Sequence, residues 1–131
     1  MIIKIEFDSE IPIYEQIKRQ IIIGIANGDL EPGERLPSVR QLGEDLGINL
    51  HTVRKAYNIL KEEGYLSIDR INGTKIKESF HMGIEEFDKY AKNELKYLIA
   101  NAKNRNIEEE YFLKLCSDYY NSFKGEINYD G

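Results

Sequence analysis

The segment from Glu34 to Lys77 constrains the fold most, because two short helical patterns and a hairpin pattern follow one another without a break. The first helix is expected to start at Ser38, whose hydroxyl can accept from the N–H of Gln41 while the Gln41 side chain returns a bond to the cap. Gly47 stands where a left-handed residue commonly ends a helix. The segment therefore opens with one short, capped helix.

A second amphipathic pattern follows immediately. Asn49 is expected to cap this helix and Gly64 to end it. An apolar stripe recurs at helical spacing along its inner face, formed by Val53, Ala56, Tyr57 and Leu60. Two helices joined by a short turn that contains glycine are typical of a helix-turn-helix.

The outer face of the second helix differs in charge from the rest of the chain. From Asn49 to Lys61 there are three basic residues and no acidic residue, whereas the whole chain has 18 Lys and Arg against 23 Asp and Glu. An acidic side chain on a face that meets phosphate would be repelled, and a helix N-terminus attracts phosphate. This face is therefore predicted to contact DNA through Asn49, Leu50, His51, Thr52, Arg54 and Lys55.

The hairpin pattern completes a winged helix-turn-helix. Leu66 and Ile68 alternate with polar residues, and Asn72-Gly73 is a strong signal for a tight turn between two strands. Asp69 is the only acidic residue of this wing. Its predicted DNA contacts are Arg70, Asn72, Gly73 and Lys75.

The predicted fold class is mostly α with a small β hairpin. A winged helix-turn-helix DNA-binding domain is expected over residues 1–78, followed by a short helical dimerisation domain over residues 79–131. A short strand is predicted over Ile2 to Phe7, and a first helix is predicted from Glu10 to Asn27-Gly28. The inner face of that helix is a row of isoleucines at i, i+4 spacing: Ile13, Ile17, Ile21 and Ile25.

Two further helices are predicted over residues 84–104 and 107–123, the second capped by Asn106. Their apolar faces are too broad for two isolated helices to bury against each other, so a second subunit or the winged domain is expected to cover them. An effector pocket is a further interpretation of the aromatic cluster on the last helix, although packing alone explains it. The predicted dimerisation residues are Phe87, Leu95, Leu98, Tyr111, Phe112, Leu115 and Tyr119.

The composition of the chain indicates the cellular compartment in which the protein acts. The richest apolar run, near Ile21 to Ala26, is far too short to span a bilayer, and acidic residues interrupt the N-terminus where a signal peptide would be apolar. A single cysteine cannot form an internal disulfide, which agrees with a reducing compartment. The expected location is the cytoplasm.

The sequence contains no set of residues arranged for catalysis, for metal binding or for cofactor binding. His81 has neither a second histidine nor a cysteine nearby, and Cys116 falls on an apolar stripe where a core residue is expected. The protein is therefore expected not to be an enzyme and to need no cofactor.

The overall charge favours a competing interpretation. The chain has a net charge of −5, and residues 1–78 contain 11 Lys and Arg against 13 Asp and Glu. Local distribution matters more than the sum, because phosphate attraction falls off over roughly 10 Å. The alternative is a winged-helix adaptor that binds proteins and whose DNA-binding face has weakened.

Three runs of residues resemble one known family. They are Pro12 to Ile17, Gly28 to Leu42, and Asn49 to Tyr57 with Glu63 to Leu66, and the phrase Pro-Gly-x-x-Leu-Pro-Ser-x-Arg-x-Leu within them is specific. The match is to the GntR family of bacterial transcription factors, over residues 10–77. The short two-helix tail resembles the YtrA-like subfamily.

The resemblance implies a homodimeric repressor that binds palindromic operators in double-stranded DNA and that controls an operon such as a transporter operon. It leaves a small-molecule effector open. It implies that the DNA contacts, beside the wing residues, include Arg35, Ser38, Arg40, Thr52 and Arg54.

Two residues depart from the family pattern. Leu50 stands where a small or polar residue is common, and it predicts an apolar contact such as one to a thymine methyl group. Ile71 stands at the first glycine position of the wing, where its bulk argues against a close approach of the wing backbone to the minor groove.

Overall fold

The computed structural model describes residues 1–80 and 83–123. These residues form two separate units, one within residues 1–80 and the other within residues 83–123. The sequence predicts a frayed end over Gly125 to Gly131, and this tail and His81, in the junction, lie outside the described residues. Among the described helices, none is both long and apolar enough to cross a membrane.

The first unit is the predicted winged helix-turn-helix. Its elements are α1 (Ile13–Ala26), α2 (Val39–Leu46), α3 (Leu50–Glu62), β1 (Leu66–Asp69) and β2 (Gly73–Ile76). The helices pack in pairs, with α1 and α2 both lying against α3, and β1 also packs on α3. The buried core comprises Ile17, Ile21, Leu30, Leu36, Leu42, Val53, Ala56, Tyr57, Leu60, Leu66 and Ile76. Each buried Val, Leu or Ile side chain of this core contributes roughly 1.5–3 kcal/mol.

The N-terminal segment is not the strand that its alternating pattern predicts. Instead, two glutamine side chains of α1 take the place of a neighbouring strand. The Gln16 amide accepts from the N–H of Glu6 at 2.8 Å and donates to the Glu6 carbonyl at 3.0 Å. Gln20 does the same for Lys4, at 3.0 and 2.7 Å. Because side chains satisfy these backbone groups, the segment needs no strand partner.

The turn between α2 and α3 follows the predicted caps, with one correction. The Ser38 hydroxyl accepts from the N–H of Gln41 at 3.0 Å, and Gly47 ends α2 in a left-handed conformation. The Gln41 side chain, however, donates to Asp45 at 2.7 Å and returns no bond to Ser38. The two helices approach closely at Gly43, where an added Cβ would lie 3.1 Å from the carbonyl oxygen of Ile48.

The wing is an antiparallel hairpin in which Leu66 pairs with Ile76 and Asp69 pairs with Gly73. Three residues therefore form its loop, and Gly73 follows them with φ at 71°, a left-handed conformation that suits glycine. On its other side, β2 is bridged to the chain before α2, where Arg35 lies opposite Lys75. The chain at Arg35 is therefore extended.

The second unit consists of α4 (Ile84–Asn104) and α5 (Glu109–Ser122). The predicted cap of α5 is wrong. Asn106 instead ends α4, because it adopts φ 57° and its N–H and that of Ile107 donate to the carbonyls of Lys103 and Ala102. Glu108 takes the N-cap position of α5 without a side-chain bond. Cys116, expected in a core, is exposed in this chain.

Candidate nucleic-acid interface

The N-terminal turn of α3 presents polar side chains to solvent. The Asn49 side chain accepts from the N–H of His51 at 2.8 Å, which confirms the predicted cap and fixes the first turn. Asn49 and His51 are exposed, while Leu50 and Thr52 are half-buried. The turn is thus rigid on its inner side and open on its outer side, as a helix must be to enter a groove.

Arg54 is held by a neighbour on its own helix. One terminal nitrogen of its guanidinium lies 2.9 Å from Nδ1 of His51, and both side chains are exposed. The guanidinium can donate to Nδ1 when the ring presents that nitrogen as an acceptor. The contact leaves most of the guanidinium donors free for an external acceptor.

Lys55 has a second role that its sequence position did not reveal. Its ammonium lies over the ring of Tyr14 on α1, 4.0 Å from the ring centre. A cation in this position is attracted to the face of the ring, typically by about 0.5–1 kcal/mol at an exposed site. Lys55 therefore links α3 to α1 while its ammonium stays at the surface. Nothing in the sequence around Tyr14 indicated this contact.

Two cations from distant parts of the chain meet at the edge of the wing. The bridge between Arg35 and Lys75 is held by backbone bonds from Leu36 to Thr74 at 2.8 Å and from Ile76 to Glu34 at 2.9 Å. Leu36, Thr74 and Ile76 point inward and are buried. The alternating side chains of Arg35 and Lys75 therefore share the outer face.

Like charges placed directly opposite each other on neighbouring strands are destabilising. An anion between or above Arg35 and Lys75 would relieve that repulsion. Phosphate is such an anion, since lysine and arginine are its usual partners. The sequence suggested each residue separately as a DNA contact, but only the folded bridge shows that they lie opposite each other.

The loop of the wing is organised by Asp69. Its carboxylate accepts from the N–H of Ile71 at 2.8 Å and from the N–H of Asn72, and also from the Asn72 side chain at 3.3 Å. The bond from the Asn72 backbone, with help from Lys75, lowers the pKa of Asp69 below its ordinary value. The sequence showed Asp69 only as the lone acid of a basic hairpin, although Asp at the start of a turn is a known organiser of such loops.

The start of α2 is tied to α3 by one buried hydroxyl. Tyr57 is fully buried, and its hydroxyl donates to the carbonyl of Pro37 at 2.8 Å. Burial raises the pKa of Tyr57 far above its ordinary value, so the hydroxyl stays a donor. This bond fixes the residue just before Ser38, and the exposed Arg40 follows in the first turn of α2. Tyr57 was predicted for the core, but its hydroxyl bond was not.

The predicted dimerisation residues lie on the second unit and are largely uncovered. Phe87 is 67% exposed, Leu98 is 54% exposed and Tyr119 is 62% exposed. Leu95, Tyr111 and Leu115 are also exposed, and Phe112 is half-buried. Ala102 is the one buried side chain that the described parts of α4 and α5 contribute.

Comparisons with known proteins place this architecture in a family. A profile described as "Bacterial regulatory proteins, gntR family" matches residues 13–76. The chain is 38% identical over 109 residues to the HTH-type transcriptional repressor YtrA of Bacillus subtilis, covering 82% of this chain and 84% of that protein. The chain belongs to the GntR family.

Two solved structures extend the likeness. The structure described as a transcriptional antiterminator from Listeria monocytogenes EGD-e matches with a TM-score of 0.85 at 26% identity, over 100% of this chain and 98% of that one. The DNA-binding domain of AraR in complex with operator ORX1 matches with a TM-score of 0.51 at 28% identity, over 56% of this chain and 95% of that one.

Membership in this family makes the protein a DNA-binding transcriptional regulator and not an enzyme. Its similarity to YtrA over most of both chains also confirms the predicted YtrA-like subfamily. The winged helix-turn-helix followed by helices is the fold that the sequence predicted.

Proposed function

We propose that the protein is a homodimeric repressor that binds a palindromic operator in the cytoplasm, where it controls an operon such as one for a transporter. The observation that carries this proposal is the capped N-terminal part of α3, where no acidic residue occurs from Asn49 to Lys61, together with the paired cations Arg35 and Lys75. A basic surface centred on an exposed helix N-terminus fits the major groove and its flanking phosphates. The name of the relative YtrA, a repressor, supports the sign of regulation.

Within this proposal, the residues divide by what they contact. Asn49, Leu50, His51, Thr52 and Arg54 face the major groove, with Arg54 reading a base edge and Leu50 contacting a thymine methyl group. Phosphate contacts come from Ser38 and Arg40 at the start of α2, from Lys55, and from the wing side. That side comprises Arg35, which is bridged to β2, and the wing residues Arg70, Asn72, Gly73 and Lys75.

The role of Arg54 is tested by Arg54→Ala in an unbiased selection from random DNA, followed by titration of the selected operator. Loss of one base-reading arginine should cost roughly 1–3 kcal/mol and relax sequence preference at one position of each half-site. Lys61→Ala is the matched control, because Lys61 is an exposed cation at the other end of the same helix. An unchanged binding profile for Arg54→Ala would remove Arg54 from the base-reading set.

Lys55→Ala is expected to affect DNA binding differently from Arg54→Ala. A phosphate contact carries no sequence information, so the loss should weaken binding to all sequences and reduce the slope of log K against log salt by about 1. An effect confined to one operator position would contradict the phosphate assignment.

The dimer is supported by the uncovered apolar surface of α4 and α5. Soluble monomers rarely expose contiguous apolar patches larger than a few hundred Å². A second copy carries the same patch, and an isologous interface pairs a patch with itself. The palindromic operator follows, because two-fold protein symmetry is matched by half-sites about one helical turn apart.

The dimer is tested by sedimentation equilibrium of Leu98→Glu. A charge placed in an apolar interface should shift the protein to monomer and weaken operator binding. Ile23→Glu is the matched control, since Ile23 on α1 is 53% exposed and Leu98 is 54% exposed. Equal masses for Leu98→Glu and the unaltered protein would count against this face as the interface.

A further inference from the structure

The tip of the wing carries a large apolar side chain that is exposed to solvent. Ile71 is 90% exposed, the largest exposure among the large apolar residues of the described chain. It lies in the middle of the three-residue loop, between Arg70 and Asn72. An isolated exposed isoleucine on an ordinary surface would need no explanation, but its surroundings here are not ordinary.

The loop around Ile71 is held in one conformation. Asp69 accepts from the N–H of Ile71 itself and from both the backbone and the side chain of Asn72. Gly73 closes the loop in the left-handed conformation. These bonds hold the loop around the isoleucine in place, which reduces the conformational entropy lost when the tip binds a partner.

The charges beside the tip identify the partner as a polyanion. Arg70 precedes Ile71, and Lys75 lies on β2 beside Arg35. Asp69 is the only acid of the wing, and its carboxylate is occupied by three N–H donors. An apolar tip flanked by cations is the arrangement by which proteins enter the minor groove of DNA, with apolar side chains in the groove and basic ones at its phosphates.

We infer that Ile71 is a specificity-determining residue that contacts the minor groove and favours A·T over G·C base pairs beneath the wing. This inference rests on the proposed function, because it requires that the wing lie beside the groove. The size of the isoleucine keeps the wing backbone away from the groove floor, as the sequence indicated, and the side chain itself spans that gap.

The chemistry of the minor groove gives the direction of the preference. A·T and T·A pairs show only acceptors there, whereas G·C adds the N2 amino donor of guanine. An apolar side chain pressed against that amino group would displace its water without offering an acceptor. A buried donor left without a partner is costly, so a guanine beneath Ile71 is disfavoured.

The test uses a base that changes only the minor groove. In the operator obtained by selection from random DNA, each adenine is replaced in turn by 2,6-diaminopurine, which adds a minor-groove amino group and leaves the major-groove edge of adenine intact. Binding of each duplex is measured by fluorescence anisotropy for the unaltered protein, Ile71→Gly and the conservative Ile71→Val. Ile2→Gly is the matched control, because Ile2 is 89% exposed but lies at the N-terminus.

The inference predicts that one or two positions per half-site weaken binding of the unaltered protein by about tenfold when diaminopurine replaces adenine. Ile71→Val and Ile2→Gly should keep this penalty, and Ile71→Gly should lose it while still binding the operator. If Ile71→Gly shows the same penalties as the unaltered protein, or if the unaltered protein shows none, the inference is overturned and the proposed function stands. If selection yields no preferred DNA sequence at all, both the proposed function and the inference fall.

Discussion

Removal of the Tyr57 hydroxyl tests how α3 is anchored to the start of α2. Tyr57 is fully buried on α3, and its hydroxyl donates to the Pro37 carbonyl at 2.8 Å, one residue before the cap of α2. Tyr57→Phe keeps the ring and deletes that bond. A net hydrogen bond contributes about 1 kcal/mol, and a carbonyl left without its partner adds to the loss. The expected decrease in the free energy of unfolding is about 1–2 kcal/mol.

The assay is urea denaturation of the full chain, followed by circular dichroism, with Tyr65→Phe as the control. Tyr65 is half-buried and packs against Phe80, with ring centres 5.4 Å apart, and no hydrogen bond from its hydroxyl is found among the described residues. The same chemical change at Tyr65 should therefore alter stability by less than about 0.5 kcal/mol. Equal midpoints for the two variants would refute the role given to the Tyr57 bond.

Two other changes test the turn and the wing. Gly43→Ala places a Cβ 3.1 Å from the Ile48 carbonyl oxygen. The substitution should therefore lower the free energy of unfolding by about 1–3 kcal/mol. Unchanged stability would show that the turn can move aside. Because Asp69 has a lowered pKa in the fold, the stabilisation of the loop should be present above about pH 4 and be lost as the pH falls through that lower folded pKa. Amide shifts of Ile71 and Asn72 in NMR spectra should therefore titrate below the ordinary aspartate value, and a midpoint at or above that value would contradict the assigned bonds.

The local signals in the sequence predicted the helices well. Asn49 and Ser38 have short polar side chains that satisfy backbone donors within their own turn, so their capping depends on nearby residues alone. The isoleucine row of α1 is likewise confirmed, because Ile17 and Ile21 are fully buried. Local rules of this kind need no knowledge of what lies elsewhere in the chain.

Errors arose where a residue had two competing partners. The alternating pattern of the N-terminal segment fits a strand, but Gln16 and Gln20 on α1 satisfy its backbone instead. Asn106 suits both the N-cap of α5 and the left-handed end of α4, and in the structure it lies at the end of α4. The first outcome depends on a contact between two segments of the chain. The second depends on whether one residue ends a helix or begins the next, and neither can be read from a local pattern.

The candidate site shows the same division. The absence of acidic residues from Asn49 to Lys61 can be read from the sequence, because these residues lie together at one helix. The pairing of Arg35 with Lys75 joins residues 40 positions apart, and the contact of Lys55 with Tyr14 joins α3 to α1. Both depend on the tertiary fold, so no spacing in the sequence could indicate them.

The most direct test of the account is an anisotropy titration of the purified protein against its selected operator and a scrambled duplex, at two salt concentrations. The account predicts a preference of about a thousandfold or more for the operator, saturation at two subunits per site, and affinity that falls with salt. Equal affinity for operator and scrambled DNA, or saturation with one subunit per palindromic site, would contradict it.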